Sequence, residues 1–215
     1  MRLEKLDSCA VSDALDALNL PGSVIGLKKV WDCGRVVGRT VTVKLIPKKP
    51  DAISHRHLGT SAVEAANDLD VVVVDNQGRL DCGAWGGILS FASKEKGIRG
   101  IIIDGACRDA DECREVELPV WSKGTVARTA RNRIVEHSFN EEVQVETVTV
   151  SPKDYVIADM SGVVFIPSKH ADEVITKAEQ IYSKEQAMIK DIKAGKAITE
   201  VMGKNYETML EGGNK

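Results

Sequence analysis

Residues 71–109, "VVVVDNQGRLDCGAWGGILSFASKEKGIRGIIIDGACRD", decide the fold. The run of valines at 71–74 is continuously apolar and β-branched. A strand with one wet face alternates, so this one reads as buried on both faces, as in a parallel layer. Ile101, Ile102 and Ile103 repeat that signature. Between them, Ile88, Leu89, Ala92 and Lys96 recur at helical spacing and Gly97 is a helix stop, while "NQGRLDCGAWGG" (76–87) reads as a glycine-rich turn. Strand, helix and strand within about 35 residues make a βαβ unit with parallel strands and a right-handed crossover. Segments leaving the carboxyl ends of parallel strands share one edge of the sheet, where ligands collect. "CGAWGGIL" (82–89) and "DGACRD" (104–109) are therefore predicted to face each other across a crevice.

Outward from this unit the chain keeps the same character. Val11, Leu15 and Leu18 lie on one face of an N-terminal helix that Pro21 and Gly22 stop. "VVGRTVTVKLIP" (36–47) reads as a strand and "TSAVEAANDLD" (60–70) contains a short helix. Further on, "EVELPVWSKG" (115–124) holds a short strand; "EEVQVETVTV" (141–150), "DYVIAD" (154–159) and "SGVVFIP" (161–167) read as three more, the first with clear alternation. Residues 168–195 form a long helix with Val174, Ala178, Ile181, Glu185 and Met188 on one stripe, its charges forming a solvated face. A last helical piece, "ITEVMGKNYETML" (198–210), is expected to pack on the body or on a neighbouring subunit. The class is mixed α/β, in one domain over 1–215, with a central sheet layer and flanking helices.

Composition removes several function classes. The chain has 215 residues, enough for one sizeable core, and its 29 basic and 32 acidic residues are spread without a basic block. Nucleic acid and anionic membranes both need a concentrated positive surface, so neither is the expected partner. No apolar run reaches the length of a membrane helix, and the N-terminus lacks a signal-type apolar segment. Five cysteines with no C-x-x-C pair are expected as free thiols in a reducing cytoplasm, each a small buried hydrophobe. His55 and His57 share a face of an extended segment, but two ligands without a nearby third do not make a zinc site. "RDADE" lacks the glycine and terminal glutamate of a calcium loop.

The crevice carries the chemistry. Around Gly86, Gly87, Ile88 and Leu89 a helix begins, and its first N–H groups point outward with the positive end of the helix dipole, which suits a carboxylate or phosphate. Adjacent glycines let a ligand approach the backbone, and also suit a tight turn with no ligand at all. The phosphate-loop pattern is absent. Opposite, Arg108 offers a planar fork of donors, and Asp109 is a hard carboxylate of the kind magnesium or manganese takes along with several waters. An Arg–Asp dipeptide is equally compatible with a solvated surface pair. Together, amides, guanidinium and metal can converge on a 2-oxo acid: the amides hold its carboxylate, while Arg108 and the metal polarise the keto oxygen and stabilise an enolate when a bond at C3 breaks.

"WGGILSFASKEKGIRGIIIDGACRD" (85–109), followed by "ELPVWSKG" and "DYVIADMSGVVFIP", resembles the RraA-like family, and the similarity runs from "VSDALDAL" through "VVGRTVTVK" to the C-terminal helix. That family includes class II pyruvate aldolases acting on 4-hydroxy-4-methyl-2-oxoglutarate, relatives that decarboxylate oxaloacetate, and regulators of ribonuclease E activity. The resemblance implies an αββα sandwich with a central βαβ unit, assembled into homotrimers or homohexamers with active sites between subunits. It implies that residues 86–89 bind substrate, that Arg108 binds substrate and acts in catalysis, and that Asp109 holds Mg2+ or Mn2+. Glu185 matches a C-terminal-helix glutamate that reaches a neighbour's site.

One departure stands out. The aldolases carry a D-x20-R-D pattern, and the residue 21 positions before Arg108 is Gly87. Retro-aldol cleavage must deprotonate a hydroxyl, whereas decarboxylation only loses CO2 and protonates an enolate, so the missing carboxylate should hurt the first reaction more. The leading expectation is a metal-dependent carbon–carbon lyase releasing pyruvate from small 2-oxo acids, with decarboxylation favoured or another base recruited. The alternatives are a non-catalytic regulator that binds a ribonuclease, and a lyase for a different 2-oxo or sugar acid.

Overall fold

The computed structural model describes residues 2–49 and 57–203. A short 3-10 turn, Arg2–Lys5, leads into α1 (Ser8–Ala17); β1 (Ser23–Val24), β2 (Lys28–Lys29) and β3 (Val36–Pro47) follow. Next come α2 (Thr60–Ala65), β4 (Asp70–Trp85), α3 (Gly87–Glu95), β5 (Gly100–Cys107), α4 (Ala110–Glu115) and β6 (Val120–Thr125). The chain continues through β7 (Ile134–Phe139), β8 (Val143–Val145), β9 (Val148–Val150), β10 (Tyr155–Ala158) and β11 (Val163–Ile166) to α5 (Ala171–Lys193) and α6 (Ile198–Val201).

The main sheet runs β1-β11-β10-β3-β4-β5-β6-β2, with β7 paired on β3. Its centre, β3 to β6, is parallel, and each step crosses over through one helix, so the expected βαβ unit is the middle of three in succession. The central residues behave as their sequence demands: Val71, Val72, Val73, Ile101, Ile102 and Ile103 are all 0% exposed. Each such side chain contributes about 1.5–3 kcal/mol of hydrophobic stabilisation.

The alternation of β3 sorts the layers. Val41, Val43 and Leu45 face α2, α3 and α4, in one cluster with Val72, Val74, Ile101 and Ile103. Val37 joins a second cluster built from α1 and α5 over β10 and β11. The opposite face of the sheet, with Val71, Val73 and Ile102, is covered by the β8–β9 hairpin. The α5 stripe is as read, with Val174, Ala178 and Ile181 buried and Met188 packed against the same cluster.

Local readings differ in several places. The segment at 76–87 is a continuation of β4 up to Trp85, whose pairing with β5 skips residues 76–78, 80–82 and 84, with Gln77 and Gly78 left-handed. "EEVQVETVTV" is a hairpin, turned at Glu146 with φ 54°. Four elements, β1, β2, α4 and β7, were not legible, and α1 ends before Asn19, whose φ of 55° turns the chain ahead of Pro21. Of the cysteines, Cys9 is exposed; the other four are buried as expected. His55 and residues 204–210 lie outside the described residues. No helix among the described residues is long and apolar enough to cross a membrane.

Candidate functional site

The carboxyl ends of β4 and β5 are side by side, and the Arg108 N–H donates to the Trp85 carbonyl at 2.9 Å. This bond extends the β4–β5 pairing and holds the two predicted segments face to face. A cleft of about 700 Å3 opens above them, lined on one side by residues 83–89 with Arg108 and Asp109. Lys48, His57 and residues 129–132 line it as well. Among the described residues that line it, the cationic side chains Lys48, Arg108 and Arg131 outnumber the one carboxylate, Asp109, which favours an anionic ligand.

Asp109 sits at the N-cap of α4 in the left-handed region, φ 54° and ψ 44°, and does not cap its own helix. Its carboxylate turns across the cleft instead: Oδ2 accepts from the Gly87 N–H at 3.1 Å and Oδ1 from Arg108 Nε at 3.2 Å. The first amide of α3 is therefore already engaged, and of the proposed cradle Ile88 and Leu89 keep helix-start N–H groups without an intrahelical partner. The Ser90 hydroxyl braces the turn, donating to the Gly86 carbonyl at 3.0 Å and accepting from Trp85 Nε1 at 3.2 Å.

The glycines of this turn are there for room. A Cβ on Gly83 would come within 2.7 Å of Arg108 Cγ, and one on Gly86 within 2.8 Å of Asp109 Oδ2. At Gly87 the space is already filled, because a Cβ there would fall 1.4 Å from Oε2 of Glu112. An oxygen of the Glu112 carboxylate, delivered from α4, thus lies where the side chain of an aspartate at position 87 would begin. The sequence reading missed Glu112, although its position three residues after Asp109, one helical turn on, was the available signal. Lys48, Arg131 and Asn132 were missed as well; they reach the cleft through the β3–β7 pairing, which no local motif announces.

Asp109 and Glu112 put hard carboxylate oxygens around the Gly86–Gly87 backbone. No group of three or more His, Cys, Asp or Glu that could hold a metal ion occurs among the described residues. This donor set fits Mg2+ or Mn2+, which keep several waters and need only one or two carboxylates, and does not fit a fully protein-ligated zinc.

Glu185 is not in the cleft of its own chain. It lies on α5, where burial first, then the charges of Asp7 and Asp13, raise its pKa above the usual carboxylate value. Beneath the Arg108–Asp109 turn, Cys107 Sγ donates to the Arg108 carbonyl at 3.2 Å and Cys113 Sγ lies 3.2 Å from the Ser90 hydroxyl.

A parallel-centred α/β sheet with a cationic cleft at its carboxyl edge, bordered by a glycine turn and an Arg–Asp turn, places the chain among α/β proteins with a crevice at the carboxyl ends of their strands. Residues 8–165 match the RraA-like (Aldolase/RraA) family, and the chain belongs to it. It is similar to the protein DlpA of Legionella pneumophila, 28% identical over 205 residues, which cover 93% of this chain and 32% of that one, so the chain spans about a third of that relative's length. It is 26% identical over 182 residues to a Halalkalibacterium halodurans protein named "Putative 4-hydroxy-4-methyl-2-oxoglutarate aldolase", covering 85% of this chain and 82% of that one. Among solved structures it resembles Streptomyces coelicolor RraAS2, described as an unusual member of the RNase ES inhibitor RraA protein family, with a TM-score of 0.78, 26% identity and coverage of 86% and 92%. At family level these names support a lyase role, and the family also holds regulators.

Proposed function

We propose that this chain is a Mg2+- or Mn2+-dependent carbon–carbon lyase that releases pyruvate from small 2-oxo acids. The observation carrying this reading is the Asp109 carboxylate held between the Gly87 amide and Arg108 Nε, with Glu112 filling the space beside Gly87. Asp109, with Glu112 through water, would hold the ion, which supplies a Lewis acid for the substrate's keto oxygen. The N–H groups of Ile88 and Leu89 take the 2-oxo acid's carboxylate at the helix start. Arg108 donates to the keto oxygen and holds the negative charge that gathers there as the C3 bond breaks, in retro-aldol cleavage or in loss of CO2. Glu112, through a bound water, accepts the proton of a substrate hydroxyl in the retro-aldol direction and returns a proton to C3. Lys48 and Arg131 suit a second acid group at the far end of the cleft.

Glu112 answers the missing aspartate: it is the recruited base, and aldol cleavage keeps its carboxylate. Exposed apolar side chains on α3, Ile88 at 88% and Phe91 at 57%, support assembly as a homotrimer or homohexamer with sites between subunits. In such an assembly Glu185 serves a neighbour's site, and its distance from its own cleft is consistent with that.

The deciding experiment is a panel of 2-oxo acids, including oxaloacetate and a 4-hydroxy-2-oxo acid, with Mg2+ or Mn2+ and coupled pyruvate detection. Turnover is expected to vanish on chelation. Equal pyruvate release in metal-free buffer, or none from any substrate, would overturn the assignment. Light scattering on the eluting protein tests the assembly, where a monomer counts against interface sites.

A further inference from the structure

We propose that the Lys48–Arg131 end of the cleft is a subsite for a phosphate monoester, so that the acid taken here is a 4-hydroxy-2-oxo acid phosphorylated at its far end. This rests on the lyase reading above and names its substrate class. Lys48 follows the last residue of β3, and Arg131 lies in the loop between β6 and β7. The two segments are tied together: the Lys48 N–H donates to the Arg133 carbonyl at 2.9 Å, and Lys48 Nζ to Asn132 Oδ1 at 3.4 Å. The guanidinium of Arg133 folds back onto its own loop, donating from Nη1 to the carbonyls of Thr129 at 3.1 Å and Arg131 at 3.4 Å. The loop is therefore braced from within. The Arg131 side chain lines the cleft with no ion-pair or hydrogen-bond partner among the described residues.

Charge and span separate a phosphate here from a second carboxylate. Asp109, the one carboxylate lining the cleft among the described residues, is held at the other end against Gly87 and Arg108. Lys48 and Arg131 thus stand without a counter-charge in the lining. A carboxylate neutralises one of them; a phosphate monoester, with close to two charges and three acceptor oxygens, matches both. β3 and β5 flank β4, so Lys48 and Arg108 leave strands two spacings apart, about 10 Å. The carboxyl carbons of oxaloacetate are three bonds apart, about 4 Å, whereas seven bonds, about 9 Å, separate the carboxyl carbon from the phosphorus of a six-carbon acid phosphorylated at C6. The cleft of about 700 Å3 has room for the longer acid. At the near end Asp109 already engages the Gly87 amide, and the remaining amides of Ile88 and Leu89 suit the two oxygens of a carboxylate.

Cleavage of such an acid needs no added reagent. As the C3–C4 bond breaks, its electron pair passes into the pyruvate enolate. The C4 hydroxyl gives its proton to Glu112 through water and becomes a carbonyl, and a proton returns to C3. The products are pyruvate and an aldehyde that keeps the phosphate. The phosphate itself does not react. It anchors the far end, and the binding energy of that remote group serves to orient the C3–C4 bond against Arg108.

The test has a binding arm and a turnover arm, both on the whole protein. Titration calorimetry without added metal uses glycerol 3-phosphate, which cannot react, and glycerate, a carboxylate of similar size. The phosphate is expected to bind about 10-fold more tightly, and Arg131→Ala and Lys48→Ala should each weaken it about 10-fold, the loss of one charge-assisted contact. In turnover, a six-carbon 4-hydroxy-2-oxo acid phosphorylated at C6 should exceed its unphosphorylated form in kcat/KM by about 100-fold, and Arg131→Ala should shrink that ratio about 10-fold. The proposal is overturned if glycerol 3-phosphate binds no better than glycerate, or if the two acids turn over with equal kcat/KM. It is overturned equally if phosphate binding survives unchanged in both variants, which places the phosphate elsewhere. Release of no pyruvate from either acid, with phosphate binding still dependent on Lys48 and Arg131, sinks the lyase reading and keeps the phosphate subsite.

Discussion

The turns that leave β4 and β5 start on neighbouring strands and both end in a helix, yet their composition is opposite. The first is nearly all glycine and contributes backbone and space. The second is dense in charge and contributes side chains. Their fit is position by position: Gly83 lies under Arg108, Gly86 under Asp109 and Gly87 under Glu112. The glycine turn is thus a mould for the charged turn.

The first way to break this pairing is Asp109→Ala, which removes the carboxylate that spans both turns. Pyruvate release with Mn2+ is expected to drop by about 10²–10³-fold, the scale for a lost electrostatic contact in a reacting site. Next, Glu112→Ala should slow retro-aldol cleavage by about 10²-fold and oxaloacetate decarboxylation by less, since only the former must deprotonate a hydroxyl. An equal effect on both would remove Glu112 from the proton path. Gly87→Asp sharpens the point. Alone it has to push aside only the free end of the exposed Glu112 side chain and should change stability by less than about 1 kcal/mol in chemical denaturation; combined with Glu112→Ala it should recover aldol turnover. Arg108→Lys keeps the charge but loses the fork, and kcat/KM for the 2-oxo acid should fall about 10-fold.

The smallest effect lies at the other end of the sheet and serves as a reference. Burial alone would raise the pKa of Asp159, but hydrogen bonds from the Ser8 hydroxyl and N–H, then from Ser161 and Gly162, hold it below its usual value of 3.8. Its folded pKa is depressed, so its stabilisation is present above pH 3.8 and is lost as the pH falls through the lower folded value. Asp159→Asn should cost about 1 kcal/mol at neutral pH and flatten the acid limb of the stability profile. It should leave metal-dependent turnover unchanged.

Much of the fold was legible because burial on both faces writes itself as an uninterrupted β-branched run, as at 71–74 and 101–103. Register does not write itself. The glycine-rich tail of β4 looks like a turn, and only its pairing with Gly105, Ala106 and Cys107 keeps it in the sheet. Alternation also runs unbroken through the tight turn at Glu146, so a hairpin presented itself as one strand. In the site, Arg108 and Asp109 were legible because the chain makes them adjacent. Glu112 was not, because α4 buries only Cys113 and so carries no apolar period. Lys48 and Arg131 come from loops that meet only after β7 pairs with β3.

The contact between Glu112 and Gly87 also limits how such a sequence can drift. A carboxylate arriving from position 87 and one arriving from position 112 claim the same volume. A lineage passing from one arrangement to the other must therefore cross a chain holding both or a chain holding neither. Relatives that carry a carboxylate at position 87 are then expected to lack one at position 112.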